Sequence, residues 1–520
     1  MQDFNLKGVS LSLKDILGEE YIASVCAAAS ALGIGKASEL EELASRKVDF
    51  YPRQFAARLD GLLDKLGEKV CPSFEHSCPG AGTAAFSASL HASSAPIAAQ
   101  GFLRVGEDGR LFFIGKSEHY QASLGHGFPG YELLQFANDI GISNITHNNT
   151  RGHITRTLER ELVRVANGIA RDDASSLDAA IASKEPHVLN RVINLETGSL
   201  ACEAAFKMML ARFYKLQPHF EAPVHSGCTP VFLVMGDYRN GREANYHGTT
   251  IFTQMLRSMW GELYAGMEAA GLFKAVGVPI NDYEAFKAAV EEYDQGKTRV
   301  AGFLHELILM NYGAIRLHKE YLGKCYELCH SRGIPCFVDE IQSCMWSPEL
   351  FLFKEYGLKP DFVSVGKGFP GGMFPASRIL TTAEMDNLNL FGALVTNGQE
   401  EIASLANLIT IRFAEENADY TREIGAQWQT ALAEVAKRHS ALVCDVEGQG
   451  LLSALVFKET EKAVAFCKIL SNEHCIDVSA QTYKADCPPA ALMKPPLITS
   501  MKAVGIIKKA MDKALTKLEG

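Results

Sequence analysis

Residues 362–372 read FVSVGKGFPGG: an apolar run ends in glycine, a single lysine follows, and more glycines and a proline come after it. Lys367 therefore has few neighbouring side chains to solvate its ammonium group. In a partly dehydrated cleft, desolvation lowers a lysine's pKa and leaves a neutral amine that can condense with a carbonyl. The plain alternative is a surface lysine on a flexible loop. Two other stretches bear on the choice. In CFVDEIQ, Asp339 and Glu340 directly follow an apolar run, where a carboxylate stays ionised only beside a cation; the same pair also suits a metal ligand or a cap. In NLETGSLACEAAFKMM, a strand pattern passes through Thr197, Gly198 and Ser199 into a helix pattern. Free backbone N–H groups and the helix dipole suit a phosphate there, although the pattern also reads as an ordinary N-cap.

These residues need a frame that brings them together. Between 188 and 381, the short runs RVINL, PVFLVMG, RVAGFLHE, IPCFVDE, DFVSVG and ASRIL alternate with helical patterns. That alternation predicts an α/β fold with a mostly parallel sheet flanked by helices, and in such sheets the functional loops lie at the carboxyl ends of the strands. The spacing from Asp339 to Lys367 accommodates one helix and one further strand, so both reach the same end. From 400 onward, the pattern is a long helix, the hairpin-like ALVCDVEGQGLLSALVF, another helix, two short strands and a terminal helix, which predicts a smaller α+β unit. Residues 1–70 carry helical spacing, and 78–100 shift to Ala, Ser, Gly and Pro, as a linker does. The expected division is 1–100 helical extension and linker, 101–395 large domain, and 396–520 small C-terminal domain.

Composition narrows the partners. The 520 residues are 47% hydrophobic, enough for a sizeable core, and a formal net charge of -10 offers no footprint for nucleic acid or an anionic membrane. No apolar run reaches the roughly 18–20 residues of a membrane span, and the apolar stretch at 21–34 follows Asp15, Glu19 and Glu20 rather than a basic lead. The 13 cysteines, with no CxxC pair, predict reduced thiols and a cytoplasmic location. Cys71, His76 and Cys78 match no common metal spacing, HELILM lacks the second histidine of HExxH, and Cys325 and Cys329 share a helix face as packing residues. No metal is expected.

A lysine, a carboxylate and a helix N-terminus are together what pyridoxal 5'-phosphate requires of a protein. At this point the chain resembles the class III (ω-amino acid type) aminotransferases of the fold type I pyridoxal phosphate enzymes, across roughly residues 100–510. Asp339-Glu340-Ile341-Gln342 is similar to the family's aspartate-glutamate-x-glutamine pattern, and PDFVSVGKGFPGGMFPAS to its lysine signature. Tyr246-His247-Gly248 resembles the aromatic-HG segment, TGSLACEAAFK the phosphate loop with its helix, and LGHGFPG a glycine-histidine-x-histidine-proline stretch with Phe128 in the second histidine's place.

The resemblance implies roles. Lys367 is the Schiff-base lysine and the proton carrier, Asp339 pairs with the ring nitrogen, Tyr246 stacks on the ring beside His247, and Gln342 meets the ring hydroxyl. Gly198 and Ser199 hold the phosphate, Thr396 reaches it from the neighbouring subunit of a homodimer, and Glu203 is structural. The implied function is transfer of an amino group from a primary amine or amino acid to a 2-oxo acid. Aminomutase, epimerase and decarboxylase outcomes remain open on the same cofactor, as does a non-catalytic binding protein.

Substrate-side positions depart from the family. Thr249 stands where an arginine is common, Leu307 replaces a proline after Glu306, Asn311 aligns with a gating glutamate, and SCMWSPEL replaces a glycine-arginine-threonine-glycine turn. A carboxylate-gripping arginine aligns with Leu492, and Lys494 two residues on lacks the planar fork that makes arginine the better grip. Acceptor identity stays open between 2-oxoglutarate and a monocarboxylate.

Overall fold

The computed structural model describes residues 5–481 and 487–520; residues 1–4 and 482–486 of the expected N- and C-terminal units lie outside the described residues. Seven strands form the central sheet: β1 (Leu189–Leu195), β2 (Thr229–Met235), β3 (Lys274–Val278), β4 (Thr298–His305), β5 (Cys336–Asp339), β6 (Phe362–Val365) and β7 (Ser377–Thr382). Their order is β1-β7-β6-β5-β4-β2-β3. The ladders β3–β2–β4–β5–β6 are parallel, and only β7 runs against its neighbours. All six apolar runs read from the sequence are strands here. The seventh, β3 (KAVGV), escaped notice because its alternating small residues leave it half-buried at the sheet edge.

Central strands are apolar on both sides because helices cover both faces. Thus TPVFLVM is buried from Pro230 onward. Helix α1 (Gly198–Leu210) packs on β6 and β7 and buries Ala201, Ala205 and Met208, small or flexible side chains that allow a close approach. Helix α2 (Lys319–Arg332) buries Cys325 and Cys329 and ends at Gly333, whose φ of 64° closes the helix in the left-handed conformation.

C-terminal to the sheet, α3 (Glu401–Glu416) and α4 (Ala418–Arg438) lead into a four-stranded antiparallel sheet of β8 (Val443–Gln449), β9 (Leu452–Phe457), β10 (Ser479–Ala480) and β11 (Ala490–Met493), ordered β8-β9-β11-β10. The predicted hairpin is β8–β9. Helices α5 (Thr460–Glu473) and α6 (Met501–Glu519) complete this unit. The N-terminal residues form the expected helices at Leu13–Leu17, Glu19–Ala31, Ala37–Ser45 and Arg53–Leu62. They are tied to α6 where Ser500 Oγ donates to Asp60 at 2.5 Å and Lys502 meets Asp64 at 2.7 Å.

The linker-like stretch is mostly exposed, yet it holds a short helix, Ala84–Ser89, and the strand Pro96–Gln100 of a three-stranded sheet with Leu103–Gly106 and Leu111–Phe113. That sheet meets the C-terminal residues: the Phe113 N–H donates to Cys475 O at 2.8 Å, and the Asp477 N–H to Phe113 O at 2.9 Å. No described helix is long and apolar enough to cross a membrane.

Candidate active site

The parallel pairing of β5 with β6 places Asp339 opposite Ser364, so the chain leaves both strands at one edge of the sheet. Asp339 is the last residue of β5; Gly366 and Lys367 follow β6 directly. Asp339 is buried and surrounded by donors. Its Oδ1 accepts from Ser364 Oγ at 2.7 Å and the Ile341 N–H at 3.0 Å; its Oδ2 accepts from His247 Nδ1 at 3.0 Å and Cys202 Sγ at 3.3 Å. Burial pushes its pKa up, but the donors, His247 foremost, outweigh burial and hold it below the ordinary carboxylate value. An ionised Asp339 accepts only, so the proton between it and His247 belongs to Nδ1.

Lys367 has a φ of 42°, a left-handed backbone that a lysine adopts only when its surroundings impose it. A Cβ on the following Gly368 would lie 2.4 Å from the Trp346 ring, so this loop passes the indole where no side chain fits. The small residues around the lysine therefore allow a close backbone approach. Desolvation lowers the Lys367 pKa, against the upward pull of Glu306 and Asp339. The surface-loop reading of this lysine is excluded by that setting.

The Lys367 amine lies 5.2 Å from the centre of the Tyr120 ring. Tyr120 ends the turn Ser117–Tyr120, whose four residues all have positive φ (47°, 50°, 57° and 73°). Left-handed turns cost roughly 1–2 kcal/mol per residue for side chains with a Cβ. This one is held by Ser117 Oγ donating to Lys494 O at 2.5 Å, and by Glu118 accepting from Arg104 at 2.6 Å beside His126 at 3.0 Å. His119 in the same turn has its pKa pushed down to about 4 by burial, then by Lys367 and its neighbouring lysines.

At the opposite wall, Thr197 caps α1 by accepting from the Ser199 N–H at 3.2 Å, so the N-cap reading holds and the helix N-terminus still faces the cavity. Ser199 Oγ accepts from the Thr249 N–H at 3.1 Å. Gly248, with φ of 118°, packs so tightly that a Cβ would sit 2.7 Å from Ser199 Cα. Glu203 is structural in the sense expected, accepting from Thr250 Oγ1 at 2.7 Å.

These walls enclose a cavity of about 290 Å³ lined by Gly198, Ser199, Tyr246, His247, Asp339, Gln342 and Lys367. Seven of the eight residues singled out from the sequence meet there. Thr396 does not; it is exposed on the loop before α3. Glu340 turns away from the cavity, taking the Phe353 N–H at 2.7 Å and the Ser343 hydroxyl, and burial raises its pKa to about 7. Gln342 donates to Glu306 at 2.9 Å. Leu492 is buried in β11, paired with Ala454 and Ser479. Lys494 lies buried behind the Gln342 backbone, outside the cavity lining. Sequence reasoning missed Ser364, Cys202 and Tyr120, because only strand register, helix phase and the left-handed turn bring them to Asp339 and Lys367.

The family profile described as Aminotransferase class-III matches residues 122–515. The chain belongs to the class-III aminotransferase family. Among curated relatives, the chain is 31% identical over 251 residues to the acetylornithine aminotransferase of Gloeobacter violaceus, covering 47% of this chain and 57% of that protein. It is 26% identical over 250 residues to the putrescine aminotransferase of Pectobacterium atrosepticum, covering 47% and 52%. The chain thus spans little more than half the length of these two relatives. The crystal structure of ornithine aminotransferase from Toxoplasma gondii superposes with a TM-score of 0.64 at 18% identity, over 83% of this chain and 92% of that one, which is agreement of fold.

The cofactor of this family is pyridoxal 5'-phosphate, and the class-III site can be tested for fit. An amine and an ionised carboxylate face one cavity, with a helix N-terminus beside them. Among the described residues, the buried atoms His247 Nε2 and Gln342 Oε1, on two residues that line the cavity, have no hydrogen-bond partner. Gly198 and Gly248 line the cavity with backbone alone, since a Cβ at either would overlap Ile341 or Ser199. The residues fit the group.

Proposed function

We propose that this chain is a pyridoxal phosphate dependent aminotransferase moving an amino group from a primary amine or amino acid to a 2-oxo acid. The observation that carries the reading is Asp339 and Lys367 at the ends of adjacent parallel strands, both lining one cavity. Bound pyridoxal phosphate supplies an aldehyde carbon and a protonated heterocycle that takes up the electron pair left when a substrate carbon–hydrogen bond breaks.

The protein's residues do the rest. Lys367 Nζ would hold the cofactor covalently and, as a free amine, would move a proton between the substrate carbon and the cofactor carbon as general base and acid. Asp339, kept ionised by its four donors, holds the proton on the ring nitrogen. Tyr246 provides the stacking face, and its phenol stays protonated because burial raises its pKa. Gly198 and Ser199 offer N–H and hydroxyl donors to the phosphate at the positive end of α1. His247 orients Asp339, and Gln342, anchored on Glu306, presents its carbonyl oxygen to the cavity.

The curated relatives are named for acetylornithine and putrescine, both carriers of a primary amine, and the donor here is of that class. Isomerisation and decarboxylation are not favoured, since these relatives are all named as aminotransferases. The working unit is a homodimer in the cytoplasm. Its chain divides at 1–100, 101–395 and 396–520, and Thr396 completes the partner subunit's phosphate site. Single-turnover mixing with a panel of amines, followed by cofactor absorbance, tests the reaction: transfer to 2-oxo acids is expected, whereas carbon dioxide release without transfer would overturn it. Light scattering tests the dimer, and a monomer with full activity would remove the role of Thr396.

A further inference from the structure

Tyr246 lines the cavity, and an aromatic wall serves a flat ligand only when the plane of its ring is held. The Arg257 guanidinium carbon lies 5.1 Å from the centre of that ring. Arg257 does not line the cavity, so it covers the face of Tyr246 turned away from it. The segment between the two residues is short and anchored. Thr250 caps the helix Ile251–Met255 by accepting from the Thr253 N–H at 3.2 Å, and its hydroxyl donates to Glu203 of α1 at 2.7 Å. Arg257 follows that helix and precedes Ser258 and Trp260, both left-handed with φ of 71° and 58°. Its Nη2 meets Glu243, three residues before Tyr246, at 3.6 Å, so the ion pair closes the segment across the ring. The arginine side chain is 13% exposed, its Nε is buried with no hydrogen-bond partner among the described residues, and Glu243 stands beyond hydrogen-bond length. A guanidinium so placed, largely out of water, is engaged by the aromatic face more than by hydrogen bonds.

We infer that Arg257 is a positioning residue for Tyr246: its planar guanidinium backs the ring and fixes the plane on which a flat ligand stacks from the cavity side. That ligand is the pyridoxal phosphate of the proposed function, and this part of the inference rests on that reading. A ring held before the ligand arrives need not be ordered on binding, which strengthens affinity without any new contact. The same placement makes Arg257 felt at the phenol. Burial raises the Tyr246 pKa, Arg257 pulls it down, and Glu306, Asp339 and Cys202 push it up.

One arm of the test needs no cofactor. In the full-length, cofactor-stripped chain grown on fluorinated tyrosine, the fluorine resonance of Tyr246, assigned by its absence in Tyr246→Phe, is followed against pH. Arg257→Met is expected to raise its midpoint by about half a pH unit or more, and Arg257→Lys, which keeps a cation, to raise it less. The second arm titrates pyridoxal phosphate into the same chains and reads tryptophan fluorescence. Arg257→Met is expected to weaken binding roughly tenfold where Tyr246 is present and less than about twofold in a Tyr246→Leu background. Arg257→Lys, which lacks the planar cover, is expected to weaken it severalfold. An unchanged midpoint in Arg257→Met would overturn the inference, and so would equal weakening in both backgrounds, the mark of a purely structural tie. Natural affinity in Arg257→Lys would overturn it even if Arg257→Met failed to fold. A natural chain without affinity for pyridoxal phosphate would overturn the proposed function instead, with the fluorine midpoint still deciding whether Arg257 acts on Tyr246.

Discussion

His247 Nδ1 lies 3.0 Å from Asp339 Oδ2, and this buried contact decides the charge state of the site. Burial at the end of a core strand favours the protonated carboxyl, and His247 is the foremost of the donors that oppose it. With it, and with Ser364 and the Ile341 N–H on the other oxygen, Asp339 remains an anion able to face a cation in the cavity.

Asp339→Ala strands His247 and Ser364 without their acceptor, and a loss of about 3–5 kcal/mol in stability is expected from removing one member of such a buried set. Denaturant unfolding measures it. The natural chain also shows the linkage: Asp339 has its folded pKa lowered, so its contribution is present above the unfolded value of 3.8 and is lost as pH falls through the folded value. Asp339→Asn should remove that part of the acid-side loss.

On the proposed function, Lys367→Ala removes both the tether and the proton carrier. Amino transfer is expected to fall by at least about 10²–10⁴-fold, the usual contribution of a positioned acid–base group, with far-ultraviolet circular dichroism unchanged. The purified variant should be colourless or hold the cofactor without borohydride-trappable linkage. Trapping undiminished at another lysine would place the chemistry elsewhere.

Glu340 is held near the protonated form, with its folded pKa raised to about 7 from 4.5. Its contribution is therefore complete below pH 4.5 and is lost as pH rises through about 7, on the order of 3 kcal/mol in total. Glu340→Gln mimics the protonated carboxyl, accepting from the Phe353 N–H and donating to Ser343. Unfolding free energies measured at pH 5 and pH 8 should differ less in the variant than in the natural chain.

Gly368→Ala places a methyl 2.4 Å from the Trp346 ring. Overpacking of this kind costs about 1–3 kcal/mol, and it pushes the loop that carries Lys367. Both the melting temperature and cofactor affinity should fall, whereas Gly323→Ala in α2, where a Cβ meets nothing within 4 Å, should lower neither.

The chemistry-bearing residues were legible because they belong to short contiguous patterns whose local physics is strong: an apolar strand ending in an acid, another ending in glycine and lysine, and small residues opening a helix. Strand existence followed from apolar runs in the same way, except β3, whose edge position gives it no continuous apolar signature. The antiparallel direction of β7 was not legible, since strand polarity is set by the neighbours it meets.

What the amino-acid sequence by itself determined is therefore the inventory: a lysine set among glycines after one strand, an acid closing the neighbouring strand, small residues opening a helix and the alternating frame that carries them. Tertiary structure alone decided the support. Ser364 reaches Asp339 through the β5–β6 register, Cys202 through the phase of α1, and Tyr120 through four consecutive left-handed residues that no local propensity favours. It also moved Lys494 from a candidate substrate grip to a buried neighbour of Lys367, because β11 carries it behind the loop rather than into the cavity. The reason is physical: a side chain's chemistry is local, whereas its charge state and partners depend on which distant segments remove water from around it.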